Sequence, residues 1–270
     1  MASTLTLAKL RRYAIRRSLF KPTTLARAIA RLGFVQSDPL RAPARAQDLT
    51  LRHRVDGYRA GDLERRYARL SIEEDFFVNY GFVPRATHSL MHPRTPATAW
   101  SKARAQQAQA VLDFVGERGV VHPREVDAHF AHGKVRNWFG GSGNASTQLL
   151  DAMHYRGLLR IARREGGVRL YAPGVAHAPT TDPAAALDEL VDVVVRKYAP
   201  LPARSLGELV SRLRGGAPQW AHLRGAALER AKARLPHAEV EGVSWYWPAG
   251  EDPALRRDEP DPSLRLLAPF

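Results

Sequence analysis

The chain has 270 residues, which is enough for two or three small domains, and 44% of them are hydrophobic. It contains no cysteine, which excludes disulfides, thiolate metal sites, iron–sulfur clusters and cysteine nucleophiles. The 41 Lys and Arg residues against 27 Asp and Glu residues give a formal net charge of +14. An arginine-rich excess of this kind is typical of proteins that bind nucleic acids, although arginine-rich codon usage in a GC-rich genome would also produce it.

The first predicted elements are two helices and an extended segment. Apolar residues recur at helical spacing between arginines over residues 4–19, and Pro22 with Thr24 predicts the start of a second helix that ends at Gly33. Two further helices are predicted over residues 41–54 and 62–70, followed by a proline-rich connection. We therefore expect a first domain over residues 1–95.

The second predicted domain covers residues 96–178. Helical patterns over residues 100–117, 123–130 and 145–156 precede two apolar runs, and Glu165, Gly166 and Gly167 between those runs predict a hairpin turn. The glycine-rich segment over residues 140–143 lacks the Lys-Ser/Thr of a phosphate loop and is interpreted as a loop. Three helices followed by two strands predict a winged helix.

A third domain is predicted over residues 183–270. Helical patterns over residues 184–198, 205–213 and 220–235 precede a hairpin formed by residues 238–243 and 244–247. The fold class is therefore mainly α within an α+β framework, with tandem winged-helix domains. No run of about 18 apolar residues occurs and the first 20 residues lack a signal-peptide pattern, so we expect a cytoplasmic, nucleoid-associated protein without membrane contact.

The segment Gln36-Ser37-Asp38 has the residue types of a small polar site. Because a residue before proline favours extended angles, Gln36 and Asp38 are expected to point to the same side. The carboxylate could activate a water or stabilise a developing cation, while the amide could position a second group. The alternative from the residues alone is that Gln36 caps a turn and Asp38 forms an Asx turn before Pro39.

The run Leu-Gly-Phe-Val-Gln-Ser-Asp-Pro over residues 32–39, followed by Ala-Arg-Ala-Gln-Asp-Leu over residues 44–49, resembles the signature of the winged-helix DNA glycosylases of the YcaQ/AlkX and AlkZ type. Those enzymes carry a Gln-x-Gln or Gln-x-Asp motif, and this chain is similar to the second branch. Further blocks that resemble the family lie at residues 82–85, 138–142, 155–159 and 245–248, so the similarity covers nearly the whole chain.

The chain also departs from the family pattern. Val78 and Asn79 stand where many relatives have a His-Glu pair, Gln47 stands where many have histidine, and Ser37 replaces an apolar residue. The sequence given stops after Leu-Arg-Leu-Leu-Ala-Pro-Phe, where relatives continue as Phe-Asp-Pro, so it is expected to be a shortened member.

The resemblance implies a monofunctional DNA glycosylase that removes N-alkylated purines from double-stranded DNA and unhooks interstrand crosslinks. It implies that Gln36 and Asp38 are catalytic and that no cofactor is needed. Phosphate contacts are expected from seven arginines, each of which could equally belong to a solvated charged face: Arg45, Arg85, Arg156, Arg160, Arg163, Arg164 and Arg169. The alternatives are a non-catalytic DNA-binding regulator or structure-specific binder and, on charge alone, an RNA-binding protein.

Other candidates are weaker. Five aromatic residues could stack on an extrahelical base but are interpreted as core residues: Trp138, Phe139, Trp245, Tyr246 and Trp247. The ten histidines show no H-E-x-x-H or similar spacing, so no metal site is expected. Tandem domains make a monomer the simplest expectation.

Overall fold

The computed structural model describes residues 4–38, 40, 43–96, 98–136 and 142–255. The first unit, residues 4–96, contains α1 (Leu7–Ser18), α2 (Leu25–Leu32), β1 (Val35–Gln36), α3 (Ala46–Arg52), α4 (Asp62–Arg66), a 3₁₀ turn (Tyr67–Arg69), β2 (Ile72–Phe76), β3 (Tyr80–Pro84) and α5 (Arg85–Met91). Among the described residues, no helix is both long and apolar enough to cross a membrane.

The second unit, residues 98–173, contains α6 (Lys102–Arg118), α7 (Pro123–Phe130), β4 (Lys134–Arg136), β5 (Ser142–Asn144), α8 (Ala145–Tyr155), β6 (Leu159–Glu165) and β7 (Val168–Pro173). The third unit, residues 183–255, contains α9 (Pro183–Tyr198), β8 (Leu201–Pro202), α10 (Ala203–Arg212), a 3₁₀ segment (Pro218–Leu223), α11 (Arg224–Arg234), β9 (His237–Val240) and β10 (Val243–Tyr246). The fold is mostly helical, with small antiparallel hairpins.

One succession of elements recurs in all three units: a helix, a short extended segment, two helices and a hairpin. The short segment pairs with the second strand of the hairpin each time. The sheet orders are β1-β3-β2 in the first unit and β8-β10-β9 in the third. In the second unit, Val121 forms an antiparallel bridge with Tyr171 in β7. The repetition is one of topology, since no clear residue-level repeat is present in the sequence.

Two apolar clusters join the units. In one, Phe34 and Phe77 of the first unit pack with Leu187, Leu190 and Val194 of α9. In the other, the other face of the first unit packs against α6, α8 and β6 of the second unit. The first unit is therefore enclosed between its two neighbours, and burial of these side chains supplies the main driving force for holding all three together.

Several local predictions are confirmed and others are corrected. Helix α2 begins after an N-cap at Thr24 and ends at Gly33, whose φ of +67° suits glycine. The hairpin turn at Gly166 and Gly167 is present between β6 and β7. In contrast, Ser142–Asn144 forms strand β5 rather than a loop, and α5 interrupts the connection predicted before residue 96. Residues 256–270 lie outside the described residues.

Gly81 fixes how closely β1 and β3 approach. A Cβ atom at Gly81 would lie 2.3 Å from the Val35 carbonyl oxygen and 2.6 Å from Cε2 of Phe34. We expect Gly81→Ala to push β1 away from β3 and to lower the free energy of unfolding by about 1 to 3 kcal/mol, measured by urea denaturation. Gly225→Ala is the control, because a Cβ there meets nothing within 4 Å in a helix. It is expected to leave stability unchanged or raise it. Equal losses in the two variants would contradict this explanation.

Candidate functional site

A large cavity forms a cleft between the first and third units. It has a volume of about 1260 Å³ and is lined by parts of α1, α2 and β1 on one side and of α9 and α10 on the other. Six cationic side chains outnumber three carboxylates in the lining. The cations are Arg16, Arg17, Arg31, Arg196, Lys197 and Arg212. The volume exceeds that of a typical small-ligand site, and the charge favours an anionic ligand.

Gln36 lies on the edge of this cleft. Its strand β1 is held by pairing with β3, where Gln36 is opposite Gly81, and the next residue, Ser37, donates its N–H to the Tyr80 carbonyl at 3.0 Å. The side chain is partly exposed and lines the cleft, and the described part of the chain offers its amide no hydrogen-bond partner. The amide is therefore available to a ligand as both donor and acceptor.

Asp38 lies on a different cavity, which corrects the expectation that it points the same way as Gln36. This second pocket has a volume of about 140 Å³ and is also lined by Arg45, Arg164 and Arg169. Oδ1 of Asp38 accepts the Leu40 N–H at 2.8 Å, which is an Asx turn, while Pro39 lies outside the described residues. The pocket is too small to admit a nucleotide without movement.

Gln47 supports the backbone of the Gln-x-Asp segment. Only 2% of the surface of Gln47 is exposed. Its Oε1 accepts the Asp38 N–H at 3.2 Å. Gln47 therefore fixes the path of the chain between β1 and α3, and this contact requires an acceptor rather than a charge.

Three of the seven predicted DNA-contacting arginines pair across units with strand β2, which is acidic and buried. Glu73 on β2 is 4% exposed, and its Oε1 accepts hydrogen bonds from Arg85 and Arg160 at 2.9 Å each. Since Arg160 belongs to β6, this carboxylate ties the second unit to the first. Arg85 remains 51% exposed and keeps free surface for another anion.

Glu74 forms ion pairs with two further arginines, both of the β6–β7 hairpin. It is 1% exposed and forms ion pairs with Arg164 and Arg169, the second at 3.3 Å. Burial raises the pKa of Glu74, but the hydrogen bond and charge of Arg164 outweigh burial, so the pKa is lowered. The Arg169 guanidinium also lies 4.5 Å from the centre of the Tyr80 ring. These arginines are held by internal partners rather than displayed to solvent.

The remaining three predicted arginines have separate surroundings. Arg45 pairs with Glu64, and its Nε is buried without a partner. Arg156 lies 3.9 Å from the centre of the Trp100 ring and donates to the Thr98 carbonyl at 2.9 Å. Arg163 pairs with Glu165 at 2.8 Å but is 48% exposed. Together with Arg85, Arg163 is the most accessible of the seven.

The structure describes three of the five aromatic candidates. Tyr246 and Trp247 are each 7% exposed and belong to the apolar cluster around α9, so the core interpretation is confirmed for them. Trp245 packs at the edge of that cluster, and its buried Nε1 has no partner. Trp138 and Phe139 lie outside the described residues.

The sequence profile of the family described as "AlkZ-like: DNA glycosylase AlkZ-like" matches residues 29–270. The chain belongs to this AlkZ-like DNA glycosylase family. It is also similar in structure to the Streptomyces sahachiroi DNA glycosylase AlkZ, with a TM-score of 0.56 and 14% sequence identity over 91% of this chain and 70% of that one. This likeness shows a shared fold. No curated protein sequence matches the chain significantly.

In this AlkZ-like chain, a buried cluster lies where the three units meet. Arg94 is 4% exposed and donates to both oxygens of Asp75, at 3.0 and 3.1 Å. It also donates to the carbonyls of Tyr155 in the second unit and Gly216 in the third, at 2.7 Å each. Burial alone would raise the pKa of Asp75, but Arg94, His88 and His92 hold it well below its usual range.

Two histidines complete this cluster. Nε2 of His88 and of His92 lie 3.2 and 2.9 Å from Oδ2 of Asp75, and ligand atoms of the three residues lie within 4.8 Å of one another. The donor types suit a metal ion. However, Arg94 already contacts both carboxylate oxygens and neutralises Asp75, so the arrangement fits a hydrogen-bonded network better than a cation site. The two histidines are four residues apart at the end of α5, and this i,i+4 spacing is the signal in the sequence that indicates that they lie close together.

Stability is expected to fall in mild acid because His92 is buried and neutral. Burial lowers the pKa of His92 to about 4, although the hydrogen bond that Asp75 accepts from its Nε2 opposes this shift. Between pH 6.5 and 4 the unfolded chain binds a proton at this position that the folded chain does not bind. The folded state therefore loses up to about 3 kcal/mol over this range. Urea denaturation at several pH values measures this loss.

The control for this pH dependence is a matched substitution at an exposed histidine. His92→Gln is expected to flatten the decline in unfolding free energy between pH 6.5 and 4, because it removes the titrating group. His222→Gln, at an exposed position, is expected to keep the wild-type slope. A slope that is unchanged by His92→Gln would contradict the assignment.

Proposed function

We propose that this AlkZ-like protein hydrolyses the N-glycosidic bond of N-alkylated purines in double-stranded DNA, including purines within interstrand crosslinks. The observation that carries the proposal is the position of Gln36. Its amide has no hydrogen-bond partner among the described residues and lines the large cationic cleft of a chain with an AlkZ-like profile over residues 29–270. The cleft, unlike the pocket of Asp38, has room for an extrahelical nucleotide.

The chemistry requires little from the protein. An N7- or N3-alkylated purine already carries positive charge and leaves without a strong general acid, so the enzyme must stabilise the sugar cation and place a water. We assign Gln36 to contact with the sugar or the water. We assign Asp38 to charge stabilisation and water activation from the adjoining pocket. Its Oδ1 is used in the Asx turn, which leaves Oδ2 for this role.

Binding of DNA is assigned to the cleft rather than to the hairpin of the second unit. Arg31 is the best placed cation, since it lies 4.2 Å from the centre of the Phe20 ring and has no carboxylate partner in the described part of the chain. Burial and the charge of Arg17 both lower its pKa. A cation without a carboxylate partner among the described residues gains from a phosphate, whereas Arg164 would first have to leave Glu74.

Replacing Arg31 tests this assignment. Arg31→Gln is expected to weaken binding to duplex DNA and to reduce the slope of log affinity against log salt by about 1, measured by fluorescence anisotropy. Arg27→Gln is the matched control, because Arg27 lies on the same helix but does not line the cleft. We expect Arg27→Gln to keep the wild-type slope. A larger loss for Arg27→Gln than for Arg31→Gln would place the DNA elsewhere.

We further infer that the three units are winged-helix domains. The recurring helix, short strand, two helices and hairpin support this inference, with sheet orders β1-β3-β2 and β8-β10-β9. The hairpin of the second unit would be its wing, although Arg160, Arg164 and Arg169 on it are turned toward β2. In this arrangement the wing of the second unit contacts the first unit instead of binding phosphates.

The alternative is a DNA-binding protein without catalysis, which the use of Asp38 in an Asx turn favours. Incubation with a duplex that contains one N7-methylguanine distinguishes the two. A glycosylase releases the free base and leaves an alkali-labile site, whereas a binder shows salt-sensitive affinity without release. Binding without release, in a preparation that shows a cooperative unfolding transition, would overturn the proposed hydrolysis.

A further inference from the structure

Lys197 lies on the wall of the cleft that faces Gln36's strand. It is in the last turn of α9, and the neighbouring carbonyl of Arg196 accepts a hydrogen bond from Arg17 at 3.0 Å, which joins this turn to α1. Lys197 and Gln36 line the same cavity of about 1260 Å³. A molecule seated against Gln36 is therefore in a space that Lys197 also borders.

Lys197 differs from an ordinary surface lysine in its partners. The described residues give it no hydrogen bond and no carboxylate partner, and the centre of the Tyr198 ring lies 5.8 Å from Nζ. Lys232 provides the contrast. Its ammonium group donates a hydrogen bond to Glu229 at 2.9 Å, and this bond raises the pKa of Lys232. Among the described residues, no carboxylate stabilises the protonated form of Lys197 in this way.

The protonation state follows from these surroundings. Burial, assisted by the charge of Arg54, lowers the pKa of Lys197 to about 7. A neutral, nucleophilic amine is therefore populated at neutral pH to a far greater extent than in an ordinary lysine. A desolvated lysine beside another cation is the usual environment of lysines that form imines with carbonyl groups.

We propose that Lys197 is a nucleophile that forms an imine with the abasic sugar and so gives the protein a DNA strand-cleaving lyase activity. This proposal rests on the proposed function, because hydrolysis of the glycosidic bond leaves an abasic deoxyribose whose open form carries an aldehyde at C1′. The sequence resemblance implies a monofunctional enzyme, whereas this proposal gives the protein two activities, base excision and strand cleavage.

The reaction balances without a cofactor or oxidant. The Nζ lone pair attacks C1′, the carbonyl electrons move to oxygen, and loss of one water from the carbinolamine leaves a protonated imine. A water then takes a proton from C2′, and the imine stabilises the electron pair left behind as an enamine. That pair then forms a C2′=C3′ double bond as the C3′–O bond breaks and the 3′ phosphate leaves. Hydrolysis of the imine returns the lysine amine and releases an unsaturated aldehyde on the upstream strand.

The test uses the full chain and a duplex that carries one preformed abasic site, so that no base excision is needed. Borohydride reduces an imine to a stable amine, and the adduct then migrates as a protein–DNA band under denaturing conditions. We expect wild-type protein to form this band and to cleave the strand without alkali. Absence of the band for wild-type protein overturns the proposal.

Variants locate the reacting lysine. Lys197→Arg keeps a cation at this position but cannot form the imine, so nearly all of the adduct and of the strand cleavage should be lost. Lys232→Arg is the matched control and should keep both. An adduct at the wild-type level in Lys197→Arg overturns the proposal. If Lys197→Arg does not fold, peptide mapping of the wild-type adduct decides, because attachment at any residue other than Lys197 is equally contradictory.

The same preparation separates this proposal from the glycosylase proposal. Base release from an N7-methylguanine duplex, together with no trapped adduct on the abasic duplex, would contradict the proposed lyase activity and support the proposed glycosylase activity. A trapped adduct at Lys197 together with no base release supports the lyase step and removes the proposed excision of alkylated purines.

Discussion

Asp38→Asn is expected to lower the single-turnover rate of base excision about 100-fold while leaving the affinity for alkylated duplex nearly unchanged. The substitution removes the negative charge that we assign to stabilising the sugar cation and activating water. Losses of this size are typical when one preorganised polar group is removed from an active site. Excision is followed under enzyme excess, and affinity by anisotropy on the same duplex.

Asparagine isolates the charge because its side-chain oxygen can also accept the Leu40 N–H and keep the Asx turn. Asp38→Ala removes both the charge and the turn, so a further loss in Asp38→Ala relative to Asp38→Asn measures the contribution of the turn. If excision and affinity fall together in Asp38→Asn, Asp38 has a role in binding or folding. Wild-type excision by Asp38→Asn would leave the chemistry to Gln36.

Arg94→Met is expected to lower the free energy of unfolding by about 3 to 5 kcal/mol. The substitution leaves the Asp75 carboxylate, which is fully buried, without the guanidinium that contacts both of its oxygens. It also leaves the carbonyls of Tyr155 and Gly216 without their donor. Because these groups belong to all three units, urea denaturation is expected to show one loss for the whole chain rather than the release of one unit.

An exposed pair provides the control for Arg94→Met. Arg65 pairs with Asp62 at 2.6 Å, but the Arg65 side chain is 59% exposed. Arg65→Met should therefore cost less than about 1 kcal/mol. The double variant Asp75→Asn with Arg94→Met should lose less than the sum of the two single variants, since the second substitution removes the unpaired charge. Equal losses for Arg94→Met and Arg65→Met would contradict a structural role for the buried network.

Local signals in the sequence predicted the helices other than α5, and the β6–β7 hairpin, because those signals act over a few residues. Thr24 and Gly33 bound α2 as expected, since capping and a left-handed φ depend on adjacent residues. The hairpin at Gly166 and Gly167 was predictable for the same reason. The position of Gln36 at a cleft followed less directly, because the opposite wall is built from α9 and α10, more than 140 residues further along the chain.

Strand β2 shows why other features were not predictable. Three consecutive residues of β2 are acids, a type that is mostly exposed in proteins: Glu73, Glu74 and Asp75. They are nevertheless buried, because arginines distant in sequence neutralise them. The sequence shows the charge of Arg160 and Arg164 but not their partners. The same limitation applies to Lys197, whose pKa is lowered by burial and by the charge of Arg54, because the sequence shows neither its burial nor its neighbours.

The measurement that tests the central claim most directly is release of free N7-methylguanine from an alkylated duplex, quantified by liquid chromatography for wild-type protein and Gln36→Ala in parallel with DNA affinity. The account predicts release by wild-type protein, a loss of about 100-fold in Gln36→Ala and similar affinity for both. Wild-type release by Gln36→Ala would show that the cleft lined by Gln36 is not where the base is excised.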